Sequence, residues 1–311
     1  MDTKKAALLG LGMAAAAVPV MGYALSLPFR IRYEKAAFSN LPSHLRNVKI
    51  LHIADLHGRN PHKMHRDIWP HVLALDFDMA VLTGDVILDD ISQLYPHLDG
   101  LKALAESAPV FYVEGNHEDM CSYEMARLLE SIGIIVLYNR RGNFAVGRAD
   151  KGRSSVVSVA GLRDYYYLKK RRFKDVHPLL DDIAITGGFH IILTHQPQIF
   201  DWVCKKAAHT DFSALVLAGH THGGQLRLPF FPTLYAPGQG ILPRYGDGWY
   251  QGDFNEKVKM FISRGVGGTH FHIRLFNPPE VAVIELQRIN SKSVSSIGQN
   301  VPRGDAETIL H

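Results

Sequence analysis

Short apolar runs recur along the chain, and several of them stop abruptly at a cluster of glycine and polar residues. Val48–Ala54, Met79–Thr83, Val110–Glu114, Phe189–Leu193 and Leu215–Leu217 read as buried strands. Near-continuous apolarity is what a parallel strand needs when both of its faces are covered. Ile134–Leu137, Phe144–Val146, Val156–Leu162, Met260–Ser263 and Val281–Leu286 add further strands. Between them, Met64–Leu75, Leu94–Ala105, Tyr123–Ser131 and Gln198–Ala207 carry the longer period of helices, with Pro70 an awkward residue inside the first. Strands alternating with helices predict an α/β protein. No internal repeat divides it.

The polar clusters at the strand ends change the picture from fold to chemistry. They read Asp55-Leu56-His57-Gly58, Gly84-Asp85, Gly115-Asn116-His117-Glu118, Thr194-His195-Gln196-Pro197 and Gly219-His220-Thr221-His222-Gly223. Residues two apart on extended chain project to the same side, so Asp55 with His57, and His220 with His222, can each face one point. Ligands of parallel α/β proteins sit at the carboxyl ends of strands. Gly, Asp and Asn also suit turns, which would explain any one cluster. A run of such ends carrying imidazole, carboxylate and amide oxygen is instead a ligand set for metal ions. Without a thiolate it suits manganese, iron or zinc.

Composition narrows the class. In 311 residues, 46% hydrophobic and 21% charged content is ordinary for an enzyme with a sizeable core. A net charge of +4 gives no ground for expecting nucleic acid as a partner. The two cysteines, Cys121 and Cys204, form no CxxC pair and allow one disulfide at most. At the start, Lys4 and Lys5 precede an uncharged stretch, Ala6–Phe29, long enough as a helix to cross a bilayer. It predicts a single N-terminal membrane anchor, with a cleaved signal peptide ending near Gly22-Tyr23-Ala24 as the alternative. The excess of Arg30, Arg32, Lys35, Arg46 and Lys49 beyond it favours the cytoplasmic face over export. Residues 1–37 are thus expected as anchor or signal segment, 38–289 as the catalytic domain, and 290–311 as a polar tail without structure.

The ordered set Asp55-x-His57, Gly84-Asp85, Gly115-Asn116-His117-Glu118, His195 and Gly219-His220-x-His222 resembles the signature of the calcineurin-like metallophosphoesterases. The resemblance covers about Val48 to Leu286. Gly223-Gly224-Gln225, Arg264 and Pro278-Pro279-Glu280 are similar to the membrane-associated YkuE-like branch, which is related to UDP-2,3-diacylglucosamine pyrophosphatases of lipid A assembly. The resemblance implies two packed mixed β-sheets flanked by helices, a four-layer sandwich. It also implies two divalent metal ions: one on Asp55, His57, Asp85 and His222, the other on Asp85, Asn116, His195 and His220. Manganese is the expected metal, with iron or zinc open. His117 would protonate the leaving oxygen. The position where related enzymes carry the aspartate that orients this histidine is Leu88 here, with Asp89 and Asp90 following, so either the loop shifts by one residue or something else orients His117.

The implied activity is hydrolysis of a phosphoester or pyrophosphate, with a phosphorylated small molecule or a lipid-linked nucleotide such as UDP-2,3-diacylglucosamine as substrate. A broad-specificity exported phosphodiesterase or phosphatase is the alternative, and a metal-binding scaffold without catalysis a third reading. Arg264, on a glycine-rich segment, is a candidate for substrate phosphate. The basic and aromatic run Tyr165–Lys174 reads as a solvated helix or as a contact for a membrane surface or anionic substrate. Asp164 is expected to cap a turn, His270 and His272 to line the rim, and His62 and His65 to face solvent.

Overall fold

The computed structural model describes residues 29–58, 68–147, 154–163, 177–224, 233–252, 255–268, 274, 276–289 and 307–309. In chain order the strands are β1 (Arg30–Phe38), β2 (Lys49–Ile53), β3 (Met79–Thr83), β4 (Val110–Val113), β5 (Ile135–Val136), β6 (Arg140–Val146), β7 (Ser155–Leu162), β8 (Gly188–Thr194), β9 (Phe212–Ala218), β10 (Tyr235–Ala236), β11 (Gly240–Ile241), β12 (Gly248–Gly252), β13 (Asn255–Ile262), β14 (Glu280–Arg288) and β15 (Glu307–Ile309). The helices are α1 (Ile68–Leu73), α2 (Leu98–Ser107), α3 (Ser122–Ser131), α4 (His177–Thr186) and α5 (Phe200–Ala208).

Two mixed sheets result, ordered β15-β1-β14-β2-β3-β4-β5 and β12-β13-β9-β8-β7-β6, with β10 and β11 forming a separate hairpin. Side-chain alternation along the strands builds three cores. From β3, Met79 and Val81 face the space between the sheets while Ala80 and Leu82 face helices. Across that space, Leu215 and Leu217 of β9 point inward, and Ala214, Val216 and Ala218 point to the other helical layer. One outer layer is α1, α2 and α3; Met125 and Leu129, four apart on α3, bury against the first sheet. In the other, Phe200, Val203 and Ala207 of α5 and Leu180 and Ile183 of α4 cover the second sheet. This is the four-layer sandwich. Each fully buried Leu, Ile or Phe contributes roughly 1.5–3 kcal/mol, so the stacked cores dominate the stability.

Several elements differ from expectation. Residues 30–37 belong to the folded domain rather than to an anchor segment, because β1 pairs in parallel with β14 from Arg30↔Glu280 to Phe38↔Arg288. Its buried positions Ile31, Ala36 and Phe38 are interrupted by charged neighbours, which hides the strand in sequence. Tail residues Glu307–Ile309 pair antiparallel with Arg30–Arg32, so at these three positions the tail is ordered; the rest of 290–311 lies outside the described residues. The helix read from Met64 is described over Ile68–Leu73, and Pro70 falls in its first turn, where a missing N–H costs nothing. Residues 1–28 and 164–176 lie outside the described residues, which takes in the anchor apart from Phe29, Asp164 and the basic aromatic run. Among the described residues no helix is long and apolar enough to cross a membrane.

Candidate metal centre

Strands β2, β3 and β4 of one sheet and β8 and β9 of the other end at a common edge. The ladder does not stop with the strands: Asp55 N–H donates to Gly84 O (3.1 Å), His57 N–H to Asp85 O (3.0 Å), and Gly219 N–H to His195 O (3.1 Å). The ligand-type residues therefore sit in a hydrogen-bonded frame joined across both sheets. Asp55, His57, Asp85, His220 and His222 all adopt positive φ, between 43° and 73°. Non-glycine residues in this region are strained and persist only where the surrounding structure fixes them, a condition met mainly at functional sites. Gly115 is required by the same packing: a Cβ there would lie 2.2 Å from Asp85 Oδ1 and 2.5 Å from Asp85 N.

Two groups of side chains converge. Asp55, His57, Asp85 and His222 offer ligand atoms within 4.8 Å of one another, as do Asp85, His195 and His220. Asp85 is common to both. His57 Nε2 lies 3.1 Å from His222 Nε2, and His220 Nδ1 lies 3.0 Å from His195 Nε2. Asp85 Oδ2 is 3.0 Å from His195 Nε2 and 3.7 Å from His57 Nε2, and Asp55 Oδ1 is 3.8 Å from His222 Nε2. Donor atoms sharing an ion at about 2.1 Å stand roughly 3–3.5 Å apart, so these spacings suit chelation. Asn116, between the groups in sequence, has its Oδ1 buried with no hydrogen-bond donor. It lies between Gly115, packed on Asp85, and His117, whose N–H bonds Asp85 Oδ1, and an orphaned buried amide oxygen there is what a hard-to-borderline divalent cation would satisfy.

The protonation states agree. Burial lowers His57 and His220 to about 3 and His222 well below its ordinary value, so these imidazoles are neutral and able to ligate at neutral pH. The carbonyl of Pro237 lies against the His220 ring and counters a little of that effect. His195 Nδ1–H donates to Thr83 O at 2.7 Å, which turns its Nε2 lone pair toward Asp85. Burial raises Asp55 to about 7, partly offset by the His195 imidazole. For Asp85 burial pulls the same way, but His195, His57 and His117 outweigh it and hold the carboxyl well below its usual range.

His117 is half-buried at the mouth. Its Nδ1–H donates to Leu88 O at 2.6 Å and its backbone N–H to Asp85 Oδ1 at 3.0 Å, leaving Nε2 facing Asp85 Oδ2 at 3.9 Å. The residue that departs from the family pattern thus orients the histidine through its main chain.

Three residues escaped sequence reasoning. Glu118 is fully buried; it accepts Asp85 N–H (2.9 Å) and Gly115 N–H (2.8 Å) on Oε2 and Ile87 N–H (3.1 Å) on Oε1, pinning the turns that carry Asp85 and His117. Its place in Gly115-Asn116-His117-Glu118 was visible, its role was not. Arg274 is buried, donates to Gly267 O and Arg264 O, and lies 3.4 Å from His222 Nδ1. Asn277 donates to His222 O. Nothing in the local pattern marks either as more than surface polar residues. Arg264 itself is engaged by Asp247 (2.8 Å) and Glu280 (3.7 Å), so a substrate phosphate would have to share it with two carboxylates. His62, His65, His270 and His272 lie outside the described residues.

A family model, calcineurin-like phosphoesterase, matches residues 48–224, more than half of the chain. The chain is 31% identical over 220 residues to the uncharacterized metallophosphoesterase YkuE of Bacillus subtilis, covering 68% of this chain and 69% of that one. It is 30% identical over 245 residues to phosphodiesterase YaeI of Escherichia coli, covering 76% and 82%. It is 25% identical over 295 residues to UDP-2,3-diacylglucosamine pyrophosphatase LpxG of Chlamydia muridarum, covering 78% and 84%. With the family's motif residues gathered at one edge of a two-sheet sandwich, the chain belongs to the calcineurin-like phosphoesterases and is a metallophosphoesterase, a hydrolase.

Proposed function

We propose that the edge holds two divalent cations and hydrolyses the pyrophosphate or phosphodiester of a lipid-linked nucleotide, with UDP-2,3-diacylglucosamine the leading candidate. One observation carries the dinuclear reading: Asp85 belongs to both ligand groups. Asp55, His57, Asp85 and His222 would hold one ion, and Asp85, Asn116, His195 and His220 the other. Bound there, the ions would lower the pKa of water and neutralise charge on phosphoryl oxygens. Manganese is the metal proposed, one of the three, with iron and zinc, that nitrogen and oxygen donors without thiolate suit.

The chain's own groups do the rest. The neutral imidazoles present lone pairs without displacing protons. His117, once protonated, keeps Nδ1–H on the Leu88 carbonyl and turns Nε2–H toward the site, where it protonates the leaving oxygen. A positioned acid of this kind is worth about 10²–10⁴-fold. The lipid-linked substrate is supported by the similarity to LpxG and by the apolar stretch Ala6–Phe29, which would hold the enzyme at a membrane.

The test is hydrolysis by the detergent-solubilised full chain with manganese, comparing UDP-2,3-diacylglucosamine with bis(p-nitrophenyl) phosphate. Preference for the lipid nucleotide, lost in His117→Ala, is expected. Turnover of the aryl diester alone would favour a broad phosphodiesterase, the activity for which YaeI is named. No metal-dependent turnover of either would contradict the reading.

A further inference from the structure

Of ten exposed large hydrophobic side chains among the described residues, six gather at one end of the molecule; the other four are Tyr33, Tyr95, Val156 and Ile185. Met120 (92% exposed) and Tyr123 follow β4, Tyr235, Ile241 (81%) and Leu242 (66%) stand on the β10–β11 hairpin, and Phe276 precedes β14. All six lie at the end of the sandwich that carries the ligand-type residues. The hairpin is attached there directly: Pro237, in its turn, faces the ring of His220, and a Cβ on the next residue, Gly238, would lie 3.5 Å from His220 Nε2.

The hairpin presents its apolar side outward. Tyr235 pairs with Ile241 across the two strands and Ala236 with Gly240. Paired residues share a face, so Tyr235 and Ile241 point one way and the fully buried Ala236 the other. Its base is fixed by Leu242 N–H on Leu234 O and by the Gln239 side chain, which bonds both main-chain groups of Tyr245. A rigid hairpin that buries alanine and exposes isoleucine, leucine and tyrosine beside a charged site is a surface built to be covered.

Topology indicates what covers it. β14 runs antiparallel to β2, so Glu280 begins β14 at the end where Asp55 follows β2. β1 runs parallel to β14 with Arg30 opposite Glu280, and Arg30 N–H donates to Pro279 O. The chain therefore enters the fold at the ligand-bearing end, directly after the apolar stretch Ala6–Phe29. If that stretch lies in a bilayer, the same end is brought to the lipid surface.

We propose that this end of the molecule lies against a lipid bilayer, with Tyr235, Ile241 and Leu242 seated at headgroup level and the ligand-bearing edge opening toward the membrane. The inference rests on the metal site assigned above and deepens it: the phosphate attacked belongs to a molecule whose apolar part remains in the bilayer, so the substrate need not leave it. Tyrosine with aliphatic neighbours on a small rigid element suits the interface.

The experiment uses the full chain with Cys121→Ser and Cys204→Ser, carrying Ile241→Cys or Met120→Cys labelled with the fluorophore NBD. Ile185→Cys is the control; it is 87% exposed but near the end of α4, just before β8 begins, at the opposite end of the sandwich. In phosphatidylcholine–phosphatidylglycerol vesicles containing spin-labelled lipid, quenching at 241 and 120 is expected to exceed that at 185 several-fold. Equal quenching at 241 and 185 would overturn the proposal. So would an NBD blue shift at 241 that needs no vesicles and grows with protein concentration, since a second copy would then be the cover. Turnover of bis(p-nitrophenyl) phosphate in the same vesicles reports the metal site separately. Quenching at 241 without that turnover would sustain the docking and count against the proposed function alone.

Discussion

Replacing Glu118 with alanine should damage the site without touching a ligand. The Glu118 carboxylate accepts three backbone N–H groups, from Asp85, Ile87 and Gly115, in a fully buried setting. Each buried donor left without an acceptor costs about 1–3 kcal/mol, so the loss is on the order of 3–6 kcal/mol if water fills part of the space. Burial opposes this, since it raises the Glu118 carboxyl to about 8, helped by the charge of Asp85. Keeping that group dry has its own cost, which places the net effect toward the lower end. At about 2–3 °C per kcal/mol for a chain of this size, the melting temperature should fall by roughly 6–12 °C in EDTA. Glu118→Gln keeps one oxygen for the Asp85 and Gly115 N–H groups, loses the Ile87 bond, and should fall between. Thermal melts followed by circular dichroism in EDTA, with metal content measured beside them, give the answer. A shift below about 2 °C with full metal retention would refute the claim that Glu118 fixes the Asp85 turn.

Other outcomes follow from the same geometry. Gly115→Ala forces a methyl into Asp85, so metal content should drop while the far-UV spectrum stays that of the parent; unchanged metal content would count against the close packing. Changing His117 to glutamine should leave bound metal unaltered and lower turnover about 10²–10⁴-fold, more for substrates with poor leaving groups than for aryl phosphates. In EDTA the protein should lose stability as pH falls from about 6.5. His52, His57 and His220, lowered to about 3, and His97, lowered to about 4, bind protons only when unfolded in this range, and His222 shares their direction. Asp55 and Glu118, raised to about 7 and about 8, act oppositely, but these imidazoles outnumber them. A melting temperature that rises between pH 7 and 5 without metal would reverse this sign. Arg274→Met should weaken the half of the site that contains His222, read as a lower affinity for the more loosely held ion in competition with a chelator.

Much of this was legible because buried parallel strands write themselves as continuous apolar runs that stop where the ligands begin. Val81-Leu82-Thr83 before Gly84-Asp85, and Val216-Leu217-Ala218 before Gly219-His220, needed no structure to be placed. The pairing of β1 with β14 was hidden, since Arg32, Glu34 and Lys35 break its apolar pattern and it follows the apolar stretch directly. Helix α4 was missed next to the basic aromatic run that precedes it. The supports of the site were illegible for another reason. Glu118, Arg274 and Asn277 act through main-chain groups, and a hydrogen bond to a carbonyl or N–H leaves no partner residue type to search for. Leu88 shows the limit most clearly, since a leucine that orients a histidine through its carbonyl has no sequence signature.

The central claim is a pair of ions sharing Asp85, and metal counting tests it most directly. The purified full chain, loaded with manganese and freed of loose metal, should hold two ions per molecule by plasma mass spectrometry. Asp85→Asn should fall below one, because both sites lose a ligand, whereas Asn116→Ala should fall to about one. A parent protein that binds a single ion, or an Asp85→Asn variant that keeps two, would contradict the shared-aspartate site.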